Sequence, residues 1–519
     1  MHNLLTEPLL GVRRTDGGSH EVSLPKVLAG LVSGQVDSFT GMMPHQRHAW
    51  FAFLVQLSAI ALHRAQRDAM SEEPGEWTAL LRGLTRAWPD DEPWRLVVED
   101  VKQPAFMQPP VPEGALDDRN WKRVRLPAEI DILVTTKNHD VKRNRIAIAR
   151  PEHWVYALTT LQTMQGYSGG GGRLHGISRM NSGVGNRPYV ALAHSPSWGV
   201  RFRRDTAALL RGRQRILQDY DLFQEEDGLA LLWLESWDGE EQLSIRNLDP
   251  YYIEVCRRVR LAQDESGILG LRTNAKERIA GTKQIKGNTG DPWTPVSVPK
   301  KGTATALTVN KSGFTYKRLH EVLLGSDYKP GLCLEAQPED GAGDVLLLAW
   351  AFARDGVGKT GGQHEKTVPV PAKVRHLLLD PSQRSWLGER ARARVREAHD
   401  CKSRVLRPAL RYLLQGGPDS DRLDRKDTRD RPFSDRFDPR VDDIFFQELW
   451  KSVDLDEDEA RRRWVKQLDD IGWRILKEAE RSAPVPQARR ARAVAVAEIH
   501  YRRLRRKTFS DIFEGETRT

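Results

Sequence analysis

Beyond residue 371 the apolar residues fall at helical spacing. Leu387, Ala391, Val395, Ala398, Cys401, Val405, Ala409 and Leu413 recur every three or four positions, the stripe an amphipathic helix turns toward a core. Val441, Ile444, Phe445 and Leu449 predict a second helix, and Val465, Leu468, Ile471, Ile475 and Ala479 a third. After a break at Pro484 and Pro486, Val494, Ala497, Tyr501 and Leu504 predict a fourth. Four such helices joined by polar loops predict a four-helix bundle over 371–519. The stretch 416–440 is rich in Asp and Arg and predicts a mobile charged loop.

Residues 1–370 read differently, as a mixed α/β domain with many Gly and Pro breaks. A short strand pair is expected around Asp16-Gly17-Gly18, followed by helices over 44–67 and 76–87. From 188 to 365 the pattern favours short strands, at 189–193, 230–234, 306–309 and 345–353. Residues 280–302 predict a long polar loop. The fold class is therefore α+β, a large mixed N-terminal domain followed by a C-terminal four-helix bundle.

Composition narrows the class of protein. Of 519 residues 39% are apolar and 29% charged, the balance of a globular chain with a real core. The longest apolar stretch, 50–62, contains Gln56 and Ser58; it is too short to cross a bilayer and predicts a buried helix. The first residues lack a signal peptide's charged start and apolar centre, so a cytoplasmic protein is expected. Cys256, Cys333 and Cys401 lie far apart, which disfavours a disulfide framework or a thiolate zinc site. Net charge is +10 and favours a polyanionic partner, although the acidic and basic residues largely balance. Arg489, Arg490, Arg492, Arg502, Arg503, Arg505, Arg506 and Lys507 crowd the last helix, either as a solvated face or as a phosphate-tracking surface.

Two glycine-rich stretches carry the candidate chemistry. Gly169, Gly170, Gly171 and Gly172 follow Ser168 and lead into Arg173, with His175, Arg179, Asn181, Asn186 and Arg187 nearby. Such a run makes a poor helix or strand interior; it suits close approach of a partner to the backbone, or a flexible loop. Main-chain N–H groups beside guanidiniums could take a phosphate or a nucleotide edge. The second stretch, Ala353 to Gly358-Lys359-Thr360, fits a loose phosphate-loop spacing. That chemistry needs a helix starting at the Lys-Thr pair. Here Gly361-Gly362 and a strand-like run to Pro369 predict a hairpin with a glycine-lysine tip. Asn138-His139-Asp140 reads as turn chemistry, lone histidines such as His175 and His364 as polar residues, and neither a nucleophile elbow nor a metal-ligand spacing is found. Binding is favoured over catalysis, with no cofactor and no metal expected.

Taken in order, these pieces give a family likeness. Asn3-Leu4-Leu5, Pro104-Ala105-Phe106-Met107-Gln108, Thr135-Thr136-Lys137-Asn138-His139-Asp140-Val141-Lys142, the glycine run, the hairpin after Ala351 and the terminal helices resemble the CasA family over nearly the whole chain. CasA is the large subunit of the type I-E CRISPR Cascade surveillance complex. The resemblance implies a non-catalytic subunit that recognises the protospacer-adjacent motif in duplex DNA, promotes strand separation and R-loop formation, and helps recruit a helicase-nuclease effector. Its implied partners are the other Cascade subunits, the crRNA, target DNA and that effector, with no membrane.

By the same resemblance, Gly169–Gly172 and Arg173 would lie against the motif. Lys359 or Gln363 would do the work of the wedge in a hairpin tip that begins at Arg354, itself a candidate DNA contact, with a further groove contact from Lys276, Lys283 or Lys286. Thr135, Thr136, Lys137, Asn138, His139, Asp140 and Lys142 would dock into neighbouring subunits near the guide's 5′ end. Arg502, Arg503, Arg505 and Arg506 would touch the displaced strand. The family's wedge often carries an amide side chain at its tip, whereas this tip reads Arg354-Asp355-Gly356-Val357-Gly358-Lys359-Thr360. The alternatives are a nucleotide-dependent enzyme using Lys359 and Thr360, or a generic basic nucleic-acid scaffold.

Overall fold

Helix Arg47–Arg64 is buried at every residue from His48 to Leu62, as the apolar run 50–62 predicts. It can be apolar on all sides because other elements surround it: helices Pro151–Met164 and Trp198–Asp219 and strand Leu248–Ile253 all pack against it. Trp50, Phe51, Phe53 and Leu54 are at most 1% exposed, each contributing about 1.5–3 kcal/mol by leaving water. The polar Gln56 is satisfied within this core, its amide donating to the Tyr251 carbonyl at 2.9 Å.

The computed structural model describes residues 2–113, 121–131, 149–164, 179, 187–299, 301–354 and 361–513. The chain separates into two compact units, Met1–Phe314 with Asp327–Pro369, and Thr315–Ser326 with Val370–Thr519.

In the first unit, strands Leu10–Arg14 and Ser19–Val22 form the expected antiparallel pair, joined on the other edge by Val36–Phe39. A second three-stranded sheet has Val345–Arg354 in its centre, with Gly361–Val370 on one side and Tyr189–Ala193 on the other. The strand expected over 230–234 is only Leu229–Leu231, followed by a 3-10 turn, and that over 306–309 shrinks to Thr305–Ala306.

Two expectations fail for the same reason. The strand-rich reading of 188–365 misses the 22-residue helix Trp198–Asp219. Arg201, Arg204 and Arg213 lie on its buried face beside Phe202, Leu209 and Ile216, which disguises the apolar stripe. Each is compensated inside: Arg204 grips Asp340 at 2.6 and 2.9 Å, and Arg213 grips Asp249 at 2.7 Å. Likewise 280–302 is not simply a polar loop. Thr289, Asp291, Trp293 and Thr294 are all at most 1% exposed.

The second unit contains the four predicted helices. The first runs through Pro381–Asp400, a wider π-helical stretch Cys401–Leu406, and Arg407–Leu414. Pro408, which has no N–H to continue the α-helical ladder, is the second residue after the widened turn. Helices Phe437–Lys451, Glu457–Ser482 and Gln487–Thr508 complete the set. Asp380 and Asp456 cap two of the N-termini, accepting from Ser382 and Glu459 backbone N–H groups at 2.8 Å, as short acidic side chains do. Helix Tyr316–Leu324 belongs to this unit as well. It packs so closely on the first helix that a β-carbon at Gly388 would lie 2.7 Å from the Leu324 carbonyl oxygen.

The stretch 416–440 is tied down, contrary to the mobile loop expected. Asp430, fully buried, accepts from Arg407 at 2.6 Å and Arg411 at 3.3 Å. A helical turn Arg431–Ser434 follows, and Phe437 already opens the next helix. Alternating Asp and Arg in the sequence thus mark internal pairing here.

Candidate nucleic-acid interface

The hairpin stands on a rigid base. Strand Tyr189–Ala193 pairs antiparallel with Val345–Arg354, in the register Leu346↔Ala193 to Trp350↔Tyr189. The central strand therefore continues four residues beyond Tyr189 to Arg354, about 13 Å at the usual rise per strand residue. Tyr189 stacks on Trp350 and Trp293 with ring centroids 5.1 and 5.7 Å apart. Its hydroxyl donates to Asp205 at 3.0 Å and accepts from Arg201 at 3.0 Å. Burial pushes the Tyr189 hydroxyl well up, so it remains neutral. The Arg201 guanidinium lies 4.1 Å from the Phe51 ring and 4.3 Å from that of Trp350, a cation held by aromatic faces.

Both ends of the stretch that contains the glycine run are rooted at this base. Met164, the end of helix Pro151–Met164, packs with Ala49 and Phe352 in one buried cluster, two residues short of Arg354. At the other end, Arg187 donates to Asp291 at 2.7 Å and to Gln56 at 3.1 Å, and two residues later Tyr189 meets Trp350. Gly169, Gly170, Gly171, Gly172 and Arg173 themselves lie outside the described residues, as do Lys359 and the docking residues Thr135, Thr136, Lys137, Asn138, His139, Asp140 and Lys142.

Arg179 and Arg187, read from the sequence as basic surroundings of the glycine run, are core residues. They are 1% and 3% exposed. Arg179 donates to the Pro250 carbonyl at 2.9 Å and lies 4.1 Å over the Tyr252 ring. Their charge is spent internally, and a phosphate has no access to it.

On the returning strand, the Gln363 amide donates to the Pro44 carbonyl at 3.3 Å. His364 lies against Gly313, whose φ of +68° suits glycine and where a β-carbon would come within 2.5 Å of the imidazole Nδ1. Residues from Gly361 to Val370 form a strand. This removes the phosphate-loop alternative, which requires a helix there.

The three candidate lysines are spread along one excursion. Lys276 pairs with Glu240 at 2.6 Å, both about half exposed. Lys283 is exposed in the single helical turn Thr282–Ile285, and Lys286 ends that turn with a φ of +50°.

On helix Gln487–Thr508 the four arginines divide. Arg503 is exposed. Arg502 is half exposed beside Glu498 at 3.7 Å and over the Trp473 ring at 5.3 Å. Arg505 is pinned to Asp469 at 2.6 Å and covers Phe513, and Arg506 is half-buried.

With the geometry placed, similarity decides the family. The model of the CRISPR-associated protein Cse1 family matches residues 3–475. The chain belongs to the Cse1 family. CasA is another name for the same family, as one solved relative shows: the Thermus thermophilus CasA (Cse1) structure matches with a TM-score of 0.61 at 15% identity, covering 97% of this chain and 100% of that one. Thermobifida fusca Cse1 matches with a TM-score of 0.66 at 15% identity, covering 99% of this chain and 98% of that one. A chain of a CRISPR RNA-guided surveillance complex matches with a TM-score of 0.56 at 13% identity, covering 97% of this chain and 99% of that one. No curated protein sequence matches the chain. Among the described residues of this Cse1-family chain, no helix is long and apolar enough to cross a membrane.

The residues that sequence reading missed at the Cse1 hairpin base are Arg201, Asp205, Asp291 and Trp293. Their only local signal is the Asp291-Pro292-Trp293 cluster inside an otherwise polar stretch.

Proposed function

We propose that this chain is the non-catalytic large subunit of a CRISPR RNA-guided surveillance complex. In this role it recognises the protospacer-adjacent motif in duplex DNA, helps open the duplex for guide pairing, and helps recruit a helicase-nuclease effector. Sequence reading of the target itself is left to the guide. One observation carries the proposal beyond family membership. The register Trp350↔Tyr189 and the contact of Met164 with Phe352 root the glycine stretch and the hairpin at the same edge of one sheet. A backbone reader and a wedge need that proximity, because the first base pair to open lies next to the motif. With Gln363 engaged at Pro44, Lys359 is the wedge residue, inserted at a cost of a few kcal/mol of unstacking. Lys283, exposed on its turn, supplies the further groove contact.

A binding role also agrees with the state of the nucleophiles. All three cysteines are buried and free, and burial pushes the Cys256 thiol up to about 12, so it offers no thiolate at neutral pH. The class is tested by expressing the full chain with its partner subunits and sequencing the RNA that copurifies. Small RNA with a common repeat-derived 5′ handle is expected; RNA of random sequence would overturn the assignment.

The displaced-strand role falls to Arg502 and Arg503, because Arg505 is committed to Asp469. Reversing both charges, Arg502→Glu and Arg503→Glu, is expected to lower the slope of log affinity against log salt by about 0.7 per lost contact with single-stranded DNA. An unchanged slope in assembled particles would make these arginines a solvated face only.

A further inference from the structure

The first sheet, Leu10–Arg14, Ser19–Val22 and Val36–Phe39, and helix Leu24–Val32 leave a cleft of about 420 Å³ between them. One wall is a single face of the sheet. Val12 lies directly opposite His20, Val22 stands two residues beyond His20, and all three line the cleft, as the two-residue period of a strand requires. The facing wall is a single face of the helix and its end: Lys26, Ala29, Gly30 and Ser33 follow the three-and-four spacing of one helical stripe. The walls touch at Gly30, where a β-carbon would lie 2.9 Å from Val36 Cγ2. The third wall carries Glu72 and Glu73 and is fixed from behind. The Glu73 backbone N–H donates to Ser71 Oγ at 3.0 Å, and the fully buried Trp77 donates from Nε1 to the Ser71 carbonyl at 2.8 Å. The cleft is therefore preformed, and its volume is that of a ligand pocket.

Strand Ser19–Val22 is also an edge. It pairs with Leu10–Arg14 on one side, and among the described residues no strand pairs with it on the other. We propose that an extended peptide of a partner protein adds to this free edge and turns every second side chain into the cleft. The edge supplies main-chain hydrogen bonds and the cleft supplies specificity. Directly opposed side chains on one face meet, so the peptide residue opposite the half-buried Val22 is apolar. The residue opposite His20, two positions away, is acidic. His20 and Lys26 are exposed and in no ion pair among the described residues, whereas Arg14 is already held by Asp16 at 3.1 Å. Glu72 and Glu73 repel a uniformly acidic segment, and equally a nucleic-acid strand charged at every residue. The occupant is thus a peptide with one acidic and one apolar side chain on the same face.

This site is independent of the DNA-binding role proposed above, and its test uses no nucleic acid. The full chain is panned against a phage library of random heptapeptides, and the affinity of the enriched peptides, made synthetically, is read by fluorescence anisotropy. The enriched sequences are expected to place an acidic and an apolar residue two positions apart. Lys26→Glu should weaken the best peptide about fivefold, the upper range for an exposed pair, and a peptide with its acidic residue changed to lysine should recover the loss. Ser33→Trp, which fills the cleft, should abolish binding. If that variant does not fold, as judged by thermal melting, Gln35→Trp, at an exposed position on the cleft rim, takes its place. Only one edge of an added strand faces Ser19–Val22, so N-methylation of one alternate set of peptide amides should abolish binding while the other set tolerates it. No enriched sequence, binding that survives the filled cleft, or equal effects from the two methylated sets overturns the proposal.

Discussion

Replacing Gly170 and Gly171 together with leucine is expected to abolish motif-dependent binding while the chain still assembles with its partners. A glycine backbone can approach a groove edge that any β-carbon would hold away. On the proposed reading, losing two main-chain hydrogen bonds to the minor groove, at about 1.5 kcal/mol each, would amount to roughly a hundredfold in affinity. Their loss brings a specific site close to the background of phosphate contacts, which the substitution leaves intact. The measurement compares motif-bearing and scrambled duplexes on assembled particles at one salt concentration. Wild-type is expected to prefer the motif, and the variant to bind both alike at the lower affinity. The minor groove presents nearly the same acceptors for A·T and T·A, so wild-type should also tolerate several related motifs. A variant that keeps the wild-type preference would show that the glycine run is a linker, and the motif reader would have to be sought elsewhere.

How much of this was legible in the sequence differs sharply between the two units. The helices after 371 follow from a stripe of Leu, Val, Ala and Ile at helical spacing, because each buries one face against the others. The buried helix Arg47–Arg64 was legible for the opposite reason, an apolar run with no polar face at all. What resisted reading was charge turned inward. Arg201, Arg204 and Arg213 look like a solvated face in any binary pattern, yet each has an aromatic or carboxylate partner far away in sequence. The same blindness made Arg179 and Arg187 look like ligands for phosphate, and made 416–440 look mobile when Asp430 anchors it. Sequence order supplied the hairpin and the glycine run, but not their shared root. That root depends on the strand register and on a turn, Pro44–Gln46, whose residues carry no functional signature of their own.

The inward charge also sets the largest stability effect expected. Asp291→Ala should destabilise the first unit by about 3–5 kcal/mol, the usual consequence of stranding one partner of a buried pair. Asp291 accepts from Arg187 at 2.7 Å and from the Trp293 and Thr294 backbone N–H groups at 3.0 and 3.1 Å. Burial lowers the Arg187 guanidinium, and Asp291 is the main charge opposing that shift. Alanine would remove the counter-charge and leave Gln56 as the partner on the other side. Asp291→Asn, which keeps an acceptor for the two backbone groups, should cost less. Lys276→Ala provides the contrast: its pair with Glu240 is just as short at 2.6 Å, but both side chains are about half exposed, and an exposed pair contributes about 0.2–1 kcal/mol. Chemical denaturation of the three variants should rank Asp291→Ala far below Asp291→Asn, with Lys276→Ala near wild-type. If Asp291→Ala and Lys276→Ala shift the midpoint equally, the Arg187–Asp291 pair does not hold the foot of the glycine stretch. A loss in Asp291→Ala that Asp291→Asn shares in full would instead assign the effect to the charge and leave the backbone contacts with little part in it.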